Sequence, residues 1–291
     1  MGKRRIAFIG TGVMGASIVR HLLQANYEVT VFTRTKSKAA ALIEEGAKWA
    51  ETIGEAVANV DLVFTMVGYP ADVEEVYFGV NGIFANGKKE QIFVDMTTSS
   101  PALAEKIARH AKSLQMASID APVSGGDIGA KNGNLSIMCG GNKEVFEDIL
   151  PVLSIFGGQI VYQGAAGAGQ HTKMCNQIAI ATNMIGVSEA LVYAMRAGLD
   201  PDTVLSSIST GAAGSWSLSN LVPRMIKGDF EPGFFVKHFL KDMDIALAEA
   251  EAMELPLPGL ELAREMYAEL AANGYGEKGT QILVHHYEEM P

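Results

Sequence analysis

The chain has 291 residues, 48% hydrophobic and 19% charged, which excludes a disordered or fibrous protein. The formal net charge is −10 and no run of Lys or Arg makes a basic face, which excludes a nucleic-acid binder. The length suits two domains, with cores large enough to stand without disulfides or metals.

Lys3, Arg4 and Arg5 precede an apolar run at 6–9 that Gly10 ends. A secretory signal needs roughly 7–15 apolar residues and a membrane span about 20. The run therefore reads as a buried strand, and the protein as soluble and cytoplasmic with no membrane partner. Gly2 lacks the following Ser or Thr that myristoylation prefers, so no lipid anchor is expected. The spacing of Met14, Ile18, Leu22 and Leu23 predicts a helix over 13–26. A β-branched run at 28–33 follows, then a helix over 36–45 closed by Gly46. Strands are expected at 61–67, 91–96, 117–121, 135–139 and 159–162, and helices at 71–78, 101–114 and 144–156. Alternation of apolar strands with helices predicts a parallel sheet covered on both faces.

The pattern changes through Gly157-Gly158 and the glycine-rich passage 164–169. A long helix is expected over 171–196, ended by Gly198. Apolar residues lie over most of its circumference, so it should be surrounded, in a domain interface. Helices at 202–209, 217–227, 236–253 and 259–273 follow, with no further strand. The expected architecture is an α/β Rossmann-type domain over 1–164, then an all-α domain over 165–291. Cys139 and Cys175 read as buried small hydrophobes, and neither a disulfide framework nor a metal site is expected.

Gly10-Thr11-Gly12-Val13-Met14-Gly15 is a GxGxxG pattern between a strand and a helix. Gly10 allows the tight turn, Gly12 lets the backbone approach a pyrophosphate, and Gly15 permits close helix packing. The next strand ends in Thr33-Arg34-Thr35, where an NAD site would carry an Asp or Glu for the ribose hydroxyls. A guanidinium there suits a 2′-phosphate, so the expected cofactor is NADP in preference to NAD. Two more loops follow strands: Val67-Gly68, and the one carrying Thr98. The latter reads equally as a helix cap before Pro101.

Ser124, Gly125 and Gly126 offer a hydroxyl and backbone N–H groups that could hold a carboxylate. By themselves they read more readily as a tight turn. Lys173 opens the long helix, with Asn176 and Gln177 on the same face. An ammonium beside an amide on an apolar helix needs a polar partner. A hydroxy acid would supply one, as would water at a helix end.

Four motifs, Phe8-Ile-Gly-Thr-Gly-Val-Met-Gly15, Asp120-Ala-Pro-Val-Ser-Gly-Gly126, Gly167-Ala-Gly-Gln-His-Thr-Lys173-Met-Cys-Asn176 and Lys241-Asp242, resemble the β-hydroxyacid dehydrogenase family. That family includes 3-hydroxyisobutyrate dehydrogenases, tartronate semialdehyde reductases and glyoxylate/succinic semialdehyde reductases. The resemblance implies hydride exchange between NADP(H) and a small β-hydroxy acid or its semialdehyde or keto form. It implies that Lys173 is the general acid/base and that Ser124, Gly125 and Gly126 hold the substrate carboxylate. Asn176 and Gln177 would cover the family's amide position. Val67, Gly68, Thr98 and Lys241 would line the cofactor, with Val67-Gly68 standing where many members have Leu-Pro. A small loop before Trp216 would reach toward the substrate, although it reads equally as an interhelix turn. A homodimer or homotetramer is implied. An imine reductase, or a non-catalytic dinucleotide-binding interaction module, is the alternative, and Lys173 disfavours both.

Overall fold

The computed structural model describes residues 3–288; Gly2, where the sequence was read for lipidation, lies outside them. The chain divides into two compact units at Lys173/Met174.

The first unit is built on a nine-stranded sheet. Its strands are β1 (Ile6–Ile9), β2 (Val29–Phe32), β3 (Lys48–Trp49), β4 (Leu62–Thr65), β5 (Ile92–Asp95), β6 (Ala117–Asp120), β7 (Val123–Ser124), β8 (Leu135–Gly141) and β9 (Gly157–Gly164). They lie in the order β3-β2-β1-β4-β5-β6-β8-β7, with β9 paired to β8. Every residue of β1, β4 and β5 is buried, which is why these strands read as unbroken apolar runs. Alternate side chains serve two cores. Phe8 stacks on Phe64 at 5.8 Å between ring centres, and Phe156 meets Phe64 edge-on at 5.9 Å. On the opposite face Ala7, Ile9, Val63 and Phe93 pack with Tyr77.

The strand order reverses between β1 and β4, so the loops after these two strands flank a topological switch point, where ligands bind in open α/β sheets. The sheet is mostly parallel, where an entirely parallel one was expected. Strands β6 and β7 both run antiparallel to β8. The physical reason is the short 125–134 connection, which has no room for the crossover that a parallel pair requires. The expected 36–45 helix is a 3₁₀ turn, Lys36–Ala39, followed by a helix, Ala40–Glu44.

The second unit is helical. It holds most of the Ala168–Arg196 helix, then Pro201–Ile208, Trp216–Asn220, Val222–Ile226, Val236–Ala252 and Pro258–Ala272. The single helix expected over 217–227 is two, with Pro223 in the first turn of the second, where its missing N–H costs nothing. Ala168–Arg196 is long and apolar enough to cross a membrane. In this chain it buries one stripe, formed by Met174, Gln177, Ala181, Met184, Val187, Ser188, Leu191 and Ala194. The expectation that the helix is covered all round is not met within the chain, since Ala179, Thr182, Gly186 and Tyr193 are exposed. Cys175 falls on that outer face and is exposed, contrary to expectation. Cys139 is buried, and burial pushes its thiol up to about 12.

Candidate active site

The glycine loop after β1 is shaped by contact on two sides and by open space on the third. Gly10 has φ +100°, and a Cβ there would come within 2.1 Å of the Met66 carbonyl oxygen. A Cβ on Gly15 would lie 2.1 Å from the Gly10 carbonyl oxygen and 2.9 Å from the Phe8 ring. Gly12 has no heavy atom within 4 Å of its Cβ position. It opens the Val13–Gln24 helix without a side-chain cap and without an acid in the first turn. The N–H groups of a first turn have no partner within their helix, and the positive end of the dipole lies there. The Thr11 hydroxyl is buried with no hydrogen-bond partner. Val13 is exposed and Met14 half-buried. Room at Gly12, unsatisfied donors and a favourable dipole fit a pyrophosphate.

Thr33 is partly buried at the end of β2, and Thr35 is exposed. Arg34 projects into solvent and its Nη1 donates to Asp72 Oδ1 at 3.1 Å. Asp72 belongs to the Pro70–Phe78 helix and its other oxygen accepts from the Tyr69 N–H at 3.1 Å. The β2 terminus itself lacks a carboxylate, but one reaches it from this neighbouring helix. Gly68 is half-buried, and the Val67 N–H donates to Thr97 Oγ1 at 3.0 Å, joining two of the expected cofactor loops.

Lys173 is 7% exposed, and its Nζ donates to the Val123 carbonyl oxygen at 2.9 Å. The ammonium is therefore held one residue before Ser124. Gly125 and Gly126 have φ of +125° and +62°, a left-handed backbone that glycine adopts without strain. The structure thus brings Lys173 and the 124–126 loop together. Three buried polar residues beside them had no role in the sequence reading. Asp120, at the end of β6, accepts from the Gly167 and Gln170 N–H groups, each at 2.9 Å. Burial pushes its carboxyl up, and these N–H bonds oppose the rise. Asp95 ends the adjacent strand β5 and accepts from Thr65 Oγ1 at 2.8 Å and the Thr97 N–H at 3.1 Å. Burial pushes it up to about 6 despite those bonds. Gln170 is fully buried and bonds to the backbone on either side of Thr98. An acid at the end of each of two neighbouring apolar strands was the available signal for the first two; Gln170 stands inside the Gly167–Asn176 motif, but nothing in the spacing pointed to its partners.

In the second unit, Asn176 Nδ2 donates to Gln177 Oε1 at 2.6 Å, and Gln177 Nε2 donates to Asp242 Oδ2 at 2.5 Å. Lys241 lies within the Val236–Ala252 helix, its Nζ 2.8 Å from Asp242 Oδ1. That pair is an ion contact that is not aligned as a hydrogen bond. Gln177 is buried with both ends of its amide engaged, whereas Asn176 is partly exposed. Trp216 is 60% exposed at the start of its helix.

Residues 5–164 match the family described as the NAD binding domain of 6-phosphogluconate dehydrogenase. Residues 167–287 match the one described as NAD-binding of NADP-dependent 3-hydroxyisobutyrate dehydrogenase. The 2-hydroxy-3-oxopropionate reductase of Escherichia coli is 39% identical over 286 residues, 98% of each chain. The chain belongs to the 3-hydroxyisobutyrate dehydrogenase family. Within that family, the uncharacterized oxidoreductase YkwC of Bacillus subtilis is 59% identical over 281 residues, 97% of this chain and 98% of that one. The solved 3-hydroxyisobutyrate dehydrogenase of Mycobacterium tuberculosis with L-serine has a TM-score of 0.90 and 30% identity, covering 98% of this chain and 99% of that one. As a family member the protein is an NAD(P)-dependent oxidoreductase, in agreement with the resemblance carried by the four motifs and with the fold expected from them.

Proposed function

We propose that the protein exchanges a hydride between NADP(H) and a small β-hydroxy acid or its semialdehyde or keto form, with Lys173 as general acid/base. The observation that carries this reading is the Lys173 ammonium, buried and bonded 2.9 Å from the carbonyl of Val123. An anionic substrate on the adjacent Ser124–Gly126 loop would lie within reach of that ammonium and gain charge-assisted bonds from it. Ser124, Gly125 and Gly126 hold the substrate carboxylate, which fixes the reacting carbon. Lys173 then donates a proton to the forming alkoxide in reduction and accepts it in oxidation. Asn176 is the amide that meets substrate, because Gln177 is committed to Asp242. Trp216 limits the size of what can bind. When bound, the nicotinamide supplies the hydride chemistry.

On the cofactor side, the residues Gly10 to Gly15 take the pyrophosphate. Thr33, Arg34 and Thr35 take the 2′-phosphate, giving the NADP preference, while Val67, Gly68, Thr98 and Lys241 line the remainder. The similarity to a family described as NADP-dependent supports that preference. The division into an NADP-binding domain over 1–164 and a helical substrate and oligomerisation domain over 165–291 belongs to the same proposal. So do a cytoplasmic location, a homodimer or homotetramer, and the lack of nucleic-acid or membrane partners. The test is a screen of NADPH oxidation against glyoxylate and succinic, methylmalonic and tartronic semialdehydes. Turnover of at least one is expected. Tight NADPH binding with no turnover of any carbonyl compound would overturn the reading.

A further inference from the structure

We propose that Gln170 is a positioning residue that sets the ammonium of Lys173 in register with the cofactor-side loops. This rests on the reading of Lys173 as the acid/base. The Gln170 amide presents a donor and an acceptor side by side. Its Nε2 donates to the Thr97 carbonyl at 2.8 Å, and its Oε1 accepts from the Ser99 N–H at 3.0 Å. Those two groups flank Thr98, so one side chain grips the Thr98 loop from both sides. The grip extends further. Thr97 Oγ1 accepts from the Val67 N–H at 3.0 Å, and the Thr97 N–H donates to Asp95 at 3.1 Å. Lys173 follows Gln170 by three residues, one turn later on the same helix.

The helix itself is anchored independently of that amide. Asp120 takes the N–H groups of Gly167 and Gln170. A Cβ on Gly169 would lie 2.4 Å from the Met138 carbonyl oxygen and 2.8 Å from Asp120 Oδ2, so the first turn is pressed against the end of β6 and the middle of β8. Loss of the Gln170 amide therefore leaves the helix seated and releases the loop that it aligns. Proton and hydride must move together over fixed distances, and a misplacement of about 1 Å can cost on the order of 10²-fold in rate. The side chain has to be an amide. A carboxylate keeps the bond from Ser99 but cannot donate to Thr97, and an apolar chain makes neither bond.

The experiment uses the full chain with Gln170→Met and Gln170→Glu. Turnover is measured with NADPH and the semialdehyde reduced fastest in the screen above, per molecule that binds NADPH. The expected result for Gln170→Met is a kcat about 10- to 100-fold lower and a larger primary isotope effect from NADPH deuterated at its transferring carbon. The NADPH dissociation constant should change less than about threefold. Gln170→Glu is expected to fall between Met and wild type. A purely structural role would reduce the yield of folded enzyme and leave the isotope effect of each folded molecule unchanged. Wild-type kcat and isotope effect in both variants would overturn the proposal. If the Met variant does not fold, the Glu variant decides, because it keeps the size and one of the bonds. Loss of activity in Lys173→Ala alongside wild-type behaviour at position 170 would refute the positioning role alone. Activity in Lys173→Ala would instead refute the acid/base reading on which it stands.

Discussion

Replacement of Lys173 by Ala removes the only donor that the reading gives to the substrate oxygen. General acid/base groups contribute typically about 10²–10⁴-fold, or roughly 2.7–5.4 kcal/mol of barrier. The loss should fall on kcat, since Lys173 Nζ donates to the Val123 carbonyl, one residue from the proposed substrate loop. NADPH affinity should then stay within about threefold. Folding is a separate matter. A hydrogen bond from a charged group contributes about 1.5–3 kcal/mol, but the buried ammonium carries a desolvation cost of similar size. Lys173→Met, which keeps the length of the chain without its charge, should therefore fold with stability within about 2 kcal/mol of wild type. The assays are steady-state NADPH oxidation, NADPH titration by fluorescence, and urea unfolding. Retention of more than about a tenth of wild-type turnover in either variant would remove Lys173 from the role.

Arg34→Ala should weaken NADP by about tenfold to a hundredfold, the worth of a charge-assisted bond, and leave NAD unchanged in the same titration. Equal effects on both cofactors would refute the 2′-phosphate assignment. Asp72→Asn frees the Arg34 guanidinium from its exposed ion pair, which is worth at most about 1 kcal/mol, so NADP should tighten by no more than about fivefold. Burial pushes the Asp95 carboxyl from its ordinary 3.8 up to about 6, so the native state keeps a proton that the unfolded chain releases. That contribution is present below about pH 4 and is lost as pH rises through 6, at most roughly 3 kcal/mol. Asp95→Asn removes the dependence. The stability advantage of wild type over this variant in urea should therefore shrink between pH 4 and pH 6.5, and a constant difference would contradict it. Phe64→Ala empties a fully buried site stacked on Phe8 and met edge-on by Phe156, and should cost about 3–5 kcal/mol in the same unfolding assay.

The parts of the fold that were legible in the sequence are those where burial leaves a periodic trace. Strands β1, β4 and β5 are buried on both faces, and nothing polar interrupts them before their last residue. Short elements leave no such trace. Strand β3 has two residues, and its Lys48 is exposed while Trp49 is half-buried, so no alternation can be seen. The antiparallel turn at β7 arises from the length of the 125–134 connection, which is not a periodic signal. The long helix misled in another way. Its composition is apolar nearly all round, but many of those residues are small, such as Ala179 and Gly186, and their exposure costs little.

The site divides along the same line. Gly10, Gly12 and Gly15 were legible because each stands where a Cβ meets backbone or where a ligand needs room, and glycine at fixed spacing records that constraint directly. Lys173 was legible because an ammonium on an apolar helix is costly without a reason. Asp120, Asp95, Gln170 and Asp242 were not, because each acts on backbone or on a side chain distant in sequence. Asp120 reaches residues 47 and 50 positions away, and Gln170 reaches residues 71 and 73 away. No local pattern encodes a partner at that separation. The residues whose spacing or burial cost is visible locally therefore state which groups meet a ligand, and the buried polar residues beside them, even within the same motifs, state how firmly those groups are held. A substitution among the second should therefore alter how fast a bound molecule reacts more than how tightly it is held.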